Sequence, residues 1–177
     1  MGIFEKKLSC GCIETTSTYN FPPVTDITSF CEIHNKKLAT PFHHAIPVHD
    51  LDLAKKFYGE ILGCKEGRSS KTWVDYSLYG NQLVCHYVGD SYKCIDYYNN
   101  VDKDEVPVPH FGVILTIDEF VKLAFHVKKA GIKFIVEPHL RFENTPSAQW
   151  TMFFKDPSNN NLEFKAMVNP ENLFAKY

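Results

Sequence analysis

The sequence predicts an α+β fold in which a βαβββ module occurs twice. Two observations carry this prediction: the order strand, helix, three strands repeats along the chain, and each predicted helix ends at a glycine, Gly63 or Gly131. Glycine at this place commonly adopts the positive φ that closes a helix. We therefore expect the two copies, about residues 42–88 and 108–168, to pair their sheets into one cup.

The first copy begins with a short alternating apolar segment, residues 42–48, which is typical of a strand. Apolar residues at helical spacing then predict a helix over residues 50–62. Three further extended segments follow, at about residues 65–69, 73–79 and 82–88.

The second copy repeats this order. A strand is predicted at residues 110–115, and the sequence Thr116-x-x-Glu119 has the form of a capping box for a helix over residues 118–130. Extended segments follow at about residues 133–137, 149–155 and 161–166. The stretch between the copies, residues 89–106, has no regular pattern, and we interpret it as an irregular linker or a lid.

Composition and charge exclude several classes of protein. The content of 44% hydrophobic and 23% charged residues is ordinary for a globular chain, and a net charge of -2 gives no reason to expect a nucleic-acid partner. The sequence contains neither an apolar run of membrane-spanning length nor the apolar core of a signal peptide. We therefore expect a cytoplasmic protein with no membrane partner.

Residues 1–39 differ from the rest and are predicted to form an N-terminal extension. Their cysteines and one histidine form two close pairs, Cys10-x-Cys12 and Cys31-x-x-His34. Paired ligands of this kind suit a tetrahedral structural zinc ion on a small hairpin. The alternative is that the four side chains are unrelated. Residues 169–177 are predicted to be a C-terminal tail.

Three potential metal ligands are predicted on the inner surface of the cup. His44 and His110 occupy similar places in the two first strands, and Glu163 lies in the last strand with its apolar neighbours on the opposite face. Two histidines and one carboxylate form a ligand set that binds a divalent metal and leaves other positions open. Taken singly, each of these residues could instead be purely structural.

Four motifs together resemble those of the vicinal oxygen chelate superfamily, which includes glyoxalases, bleomycin-resistance proteins and extradiol dioxygenases. The resemblance covers about residues 40–168, and the motifs are HHAIPVxDL at 43–51, FYxxxLG at 57–63, PHFG at 109–112 and DPxxNxLEF at 156–164. It implies the paired βαβββ cup and places family metal ligands at His44, His110 and Glu163. The metal would be Fe²⁺ or Mn²⁺, with Zn²⁺, Ni²⁺ or Co²⁺ as alternatives.

The resemblance also indicates a departure from one branch of the family. Glyoxalase I members carry a glutamate where this chain has Val84, so the three-ligand pattern favours the dioxygenase branch. His86 lies two residues further along the same face. His86 and Glu163 are the two candidate catalytic residues, and His86 would act as an acid or base. The alternatives for His86 are that it replaces a metal ligand or is a partly buried structural residue.

These observations predict a metal-dependent enzyme whose small-molecule substrate chelates the metal through two adjacent oxygens, with dioxygenase chemistry favoured. The alternatives are a glyoxalase-type lyase or isomerase and a metal-free, small-molecule-binding resistance protein. His139, Arg141 and Gln149 are candidate pocket residues, since an arginine can clamp a carboxylate, although a surface-loop location is equally compatible. A homodimer is the expected assembly.

Overall fold

The computed structural model describes residues 40–175 in full and, nearer the N-terminus, the backbone of three strands. The chain divides into two compact units, Met1–Pro41 and Phe42–Tyr177. In the first unit, strands β1 (Ile3–Lys7), β2 (Ile13–Ser17) and β3 (Val24–Ile27) form an antiparallel sheet in the order β1-β2-β3. The predicted zinc ligands lie outside the described residues, so that site stays a prediction; they are Cys10, Cys12, Cys31 and His34.

The first module of the second unit contains one helical segment and a four-stranded sheet. Asp50 caps the helix by accepting hydrogen bonds from two backbone N–H groups. Helix α1 (Leu51–Ala54) continues as a π-helix (Lys55–Ile61), and Gly63 follows with φ 69°. The sheet has the order β4-β7-β6-β5, with β4 parallel to β7. Its strands are β4 (His43–Val48), β5 (Lys65–Ser69), β6 (Trp73–Leu78) and β7 (Asn81–Tyr87).

The second module repeats this topology. Thr116 and Glu119 form the predicted capping box at the start of helix α2 (Ile117–Lys129). The sheet has the order β10-β13-β12-β11, with β10 parallel to β13. Its strands are β10 (His110–Phe111), β11 (Phe134–Arg141), β12 (Gln149–Lys155) and β13 (Asn161–Met167), and a 3₁₀ turn (Pro170–Asn172) follows. The predicted α+β class with two βαβββ modules is confirmed.

The stretch between the modules is more regular than predicted. Strands β8 (Tyr97–Val101) and β9 (Asp104–Val108) form an antiparallel hairpin whose turn residues Asp102 and Lys103 have φ of 47° and 74°. Strand β8 contains two asparagines and β9 two acidic residues and a proline, which are depleted in strands, so a pattern of apolar and polar residues did not reveal the hairpin.

One core joins the two modules. It contains Ile46 and Val48 from β4 together with Leu162 and Phe164 from β13, all at most 5% exposed. In addition, the hydroxyl of Tyr58 in the first module donates to Asp156 in the second over 2.8 Å. We call the face of each sheet that is turned away from this core its open face. Within the described residues, no helix has the length and apolarity needed to cross a membrane.

Candidate metal centre

His110 and Glu163 meet on the open face of the second sheet. Strand β10 runs parallel to β13 and pairs His110 with Asn161, so Glu163 is the next residue of β13 on the same face. The Nε2 atom of His110 lies 3.3 Å from Oε2 of Glu163. The structure thus brings together two of the three predicted ligands.

The imidazole of His110 is held in one orientation by the backbone. Its Nδ1 atom lies 2.7 Å from the carbonyl oxygen of Pro107, which can only accept a hydrogen bond, so Nδ1 is the donor. The edge of Phe153 packs against the ring with 5.3 Å between ring centroids. In the neutral imidazole, the lone pair is therefore on Nε2, the atom that faces Glu163. Histidine ligands of metals are commonly oriented in this way.

Glu163 is a buried carboxylate with a partner for each oxygen. Its Oε1 accepts a hydrogen bond from the Thr151 hydroxyl over 2.9 Å, and the Lys165 ammonium lies 3.2 Å from Oε2. Burial by itself raises the pKa of Glu163, but the hydrogen bond that the protonated form of His110 donates, the charge of Lys165 and the Thr151 hydroxyl outweigh it and lower the pKa to about 2. The same hydrogen bond raises the pKa of His110, against the effect of burial. Glu163 is consequently ionised at neutral pH.

His44 lies on a different face from the one predicted. It shares the core-facing side of β4 with Ile46 and Val48, stacks on Phe42 and packs against Phe111 with centroids 4.8 Å apart. Together with His110 it lines a cavity of about 180 Å³ between β4 and β10. Burial lowers the pKa of His44, which favours the neutral imidazole.

The strand registers make His43, rather than His44, the counterpart of His110. His43 is paired with Gln82 just as His110 is paired with Asn161, and both pairs stand at the start of parallel strands. The number of residues between the histidine and the helix cap does not identify the counterpart of His110, because the connection from strand to helix is one residue longer in the first module. His49 separates the last core residue of β4 from its helix cap, whereas in the second module the core residue directly precedes the cap.

Within residues 40–175 of one chain, no group of three or more His, Cys, Asp or Glu side chains is close enough to hold a metal ion.

The strand registers identify the residues of the first sheet that correspond to Glu163 and Lys165. Val84 lies opposite Asp75 as Glu163 lies opposite Phe153, so Val84 occupies the position equivalent to Glu163. His86 is exposed on the open face of the first sheet, at the position that Lys165 has in the second.

Of the three predicted pocket residues, His139 and Arg141 lie on β11, the edge strand of the second sheet, and Gln149 lies on the adjacent strand β12. Arg141 is 3% exposed, its Nε lies 3.2 Å from Asp104 of the hairpin, and it donates to the carbonyl of Val101. His139 contacts the same carboxylate over 3.1 Å, and Gln149 is paired with Arg141 across the strands. The carboxylate that Arg141 meets is therefore one from its own chain.

The sequence prediction missed two residues of the site, Thr151 and His43. Thr151 approaches Glu163 only because β12 and β13 are antiparallel in a register that pairs it with Lys165, and this register depends on the turn between the strands. Counting alternate residues back from the buried Val48 places Ile46 and His44 on the core face, so His43 could have been recognised as the histidine on the open face.

Comparison with known proteins gives the class of this protein. The family model described as the Glyoxalase/Bleomycin resistance protein/Dioxygenase superfamily matches residues 40–164. The chain belongs to this superfamily, as its motifs predicted. No curated protein sequence matches the chain.

Solved structures share the fold. A glyoxalase/bleomycin resistance protein/dioxygenase from Alicyclobacillus acidocaldarius is 33% identical, with a TM-score of 0.64 over 78% of this chain and 99% of that chain. The fosfomycin resistance protein FosX from Listeria monocytogenes, in complex with Mn(II) and sulfate ion, is 16% identical, with a TM-score of 0.56 over 77% of this chain and 96% of that chain. FosX from Mesorhizobium loti is 16% identical, with a TM-score of 0.53 over 77% and 98%.

Proposed function

We propose that this protein is a metal-dependent enzyme acting on a small molecule that binds a divalent metal through two adjacent oxygens. The observation that carries the proposal is the pair of His110 and Glu163, whose Nε2 and Oε2 atoms lie 3.3 Å apart while the second polar atom of each group is already hydrogen-bonded. An imidazole nitrogen and an ionised carboxylate suit Mn²⁺, Fe²⁺ and Zn²⁺. The Mn(II) bound to Listeria FosX supports Mn²⁺ as the first ion to test.

The third ligand in this proposal is His43. It is the register counterpart of His110, it is exposed on the open face of the first sheet, and its Nδ1 is also engaged in a hydrogen bond, which leaves Nε2 free. Because residues 40–175 of a single chain bring no third ligand to the pair, His43 would come from a second copy. Proteins of this superfamily often act as homodimers on small-molecule substrates.

We expect His43→Ala to abolish Mn²⁺ binding and His44→Ala to leave it largely unchanged. The first change removes a proposed ligand from the open face, whereas the second removes a ring that packs against Phe111 on the other face. Calorimetric titration with Mn²⁺ measures both variants, and circular dichroism checks that each is folded. Loss of Mn²⁺ binding in folded His44→Ala alone would return the ligand role to His44.

The chain's own side chains define what a bound metal could do. Three protein ligands leave up to three positions of an octahedral ion free, and Val84 is apolar at the place where a fourth ligand would lie. The metal would supply Lewis-acid polarisation of the substrate and, as Fe²⁺ or Mn²⁺, redox chemistry with dioxygen. Lys165 places a positive charge beside the site for an anionic substrate oxygen, and Phe153, which packs its edge against His110, would limit access of water from that side.

The apolar Val84 favours dioxygenase chemistry, because a bidentate substrate and dioxygen together need three open positions. The exposed imidazole of His86 on the open face favours the second candidate, lyase or isomerase chemistry, in which a base moves a proton next to a carbonyl. In that reaction His86 would hold the proton and Lys165 would stabilise the developing negative charge.

Oxygen dependence separates these candidates. We expect the wild-type protein to consume dioxygen with at least one of a panel of catechols, and Val84→Glu to bind Mn²⁺ more tightly but consume less dioxygen. The added carboxylate would fill one open position. An oxygen electrode and product analysis provide the measurement, with 2-oxoaldehydes as the alternative substrates. Turnover of a 2-oxoaldehyde at the same rate without dioxygen would establish the lyase or isomerase reaction instead.

A further inference from the structure

Three polar side chains form a hydrogen-bonded row across the open face of the first sheet. The Nδ1 atom of His43 lies 2.8 Å from Oε1 of Gln82, and Nε2 of Gln82 donates to Oδ2 of Asp75 over 3.0 Å. The strand registers explain why these three side chains are neighbours. His43 lies directly beside Gln82 on parallel strands, and Asp75 is the diagonal neighbour of Gln82 on the antiparallel strand β6.

The direction of every hydrogen bond in the row follows from Asp75. A carboxylate oxygen only accepts, so Gln82 must present its amide NH₂ group to Asp75 and its carbonyl oxygen to His43. That carbonyl oxygen also only accepts, so the Nδ1 atom of His43 must carry the proton. A neutral His43 in this row therefore has its lone pair on Nε2.

We propose that Gln82 and Asp75 are positioning residues that fix His43 in the Nδ1-protonated tautomer and so prepare its Nε2 atom to bind the metal. The use of that nitrogen rests on the proposed function, whereas the tautomer itself does not. His110 reaches the same state by a different route, because its Nδ1 donates to the carbonyl of Pro107. The two imidazoles would thus enter the site in the same tautomer.

The sheet does not require a carboxylate at position 75 for its own packing. Asp75 lies opposite Val84 just as Phe153 lies opposite Glu163, so the second module places a phenylalanine at the equivalent position. Asp75 is only 5% exposed, and burying a carboxylate is costly unless it is paired. The Nε atom of Arg68 is its partner at 3.3 Å.

Gly67 also accommodates Asp75. A Cβ atom at this position would lie 2.5 Å from Oδ1 of Asp75, so any larger residue would displace the carboxylate from its place beneath Gln82. Asp75, which accepts a hydrogen bond from the Gln82 amide, is therefore paired with Arg68 and has room because position 67 is glycine.

The test reads the tautomer directly in metal-free protein carrying ¹⁵N-labelled histidine. Two-bond ¹H–¹⁵N spectra, recorded where the imidazoles are neutral, distinguish a protonated from a bare ring nitrogen, and His43→Gln assigns the signals. We expect the wild type to carry the proton on Nδ1 and Gln82→Leu, which has no acceptor, to shift the population towards protonated Nε2. A wild-type proton on Nε2, or an unchanged tautomer in Gln82→Leu, overturns the proposal.

A double variant controls for general damage to the sheet. In Asp75→Asn/Gln82→Glu the carboxylate moves to position 82, where it can accept from both His43 and the amide introduced at position 75, with the total charge unchanged. We expect this variant to restore the Nδ1-protonated form and wild-type Mn²⁺ affinity, while Gln82→Leu binds Mn²⁺ about 10–100-fold more weakly. Failure of the double variant to restore the tautomer in folded protein contradicts the orienting role.

The two proposals fail separately. If the tautomer responds as expected while His43→Gln binds Mn²⁺ as tightly as the wild type, the row is supported and the ligand role of His43 in the proposed function is excluded. If His43→Gln loses Mn²⁺ and the tautomer does not respond to Gln82→Leu, the ligand role is supported and the positioning role is excluded.

Discussion

Replacing Glu163 by alanine should abolish binding of Mn²⁺ to the open face of the second sheet. The change removes the carboxylate that contacts His110 and leaves the Lys165 ammonium without this partner, so the site would carry a net positive charge. We expect the affinity for Mn²⁺ to fall by more than the roughly 10–100-fold that follows removal of a residue hydrogen-bonded to a metal ligand. Calorimetric titration with Mn²⁺ measures it.

Glu143 provides the matched control, because it is an exposed glutamate in the loop between β11 and β12. Glu143→Ala should keep wild-type affinity for Mn²⁺ and wild-type circular dichroism. Should folded Glu163→Ala bind Mn²⁺ as well as Glu143→Ala does, the pair of His110 and Glu163 is an ordinary ion pair and the metal centre lies elsewhere.

Replacing Gly112 by alanine should be the most destabilising small change in the second module. A Cβ atom on Gly112 would lie 1.7 Å from the carbonyl oxygen of Glu163, and this obstacle is backbone that cannot rotate away. Strand β10 would have to move off β13, which carries His110 away from Glu163. We expect a loss of about 3 kcal/mol or more in the free energy of unfolding, at or above the upper end for overpacked sites, together with weaker Mn²⁺ binding.

Gly59 is the control for this change. It lies in the helical segment, and a Cβ there would meet nothing closer than Tyr76 at 3.8 Å, an ordinary contact. Gly59→Ala should be neutral or slightly stabilising, since alanine is the better helix former. Urea unfolding of the two variants decides the matter, and an equal loss of stability in both would mean that the approach of β10 to β13 is not tight.

The parts of the fold that depend on local pattern were predictable from the sequence. The capping box of Thr116 and Glu119 and the positive φ of Gly63 involve only neighbouring residues, so they appear in the sequence as they do in the structure. The hairpin at Tyr97–Val108 was missed because the polar residues of its strands hide the pattern of a strand.

The candidate site was predictable only in part. Glu163 lies on a strand whose apolar residues alternate plainly, His110 begins the short strand β10, and the structure brings the two together. The face of His44 was misjudged because one additional residue, His49, separates β4 from its helix cap. The row from His43 through Gln82 to Asp75 depends on strand register, which a single sequence specifies weakly.

A mixing experiment tests the central proposal, a metal site shared between two copies of the chain, most directly. His43→Ala and Glu163→Ala chains with different affinity tags are co-expressed, and the mixed dimer is purified through both tags. One of its two sites would then combine intact His110 and Glu163 from one chain with intact His43 from the other. We predict one Mn²⁺ per mixed dimer and none in either parent variant. A mixed dimer without Mn²⁺, when the wild type binds it, would contradict a site shared between copies.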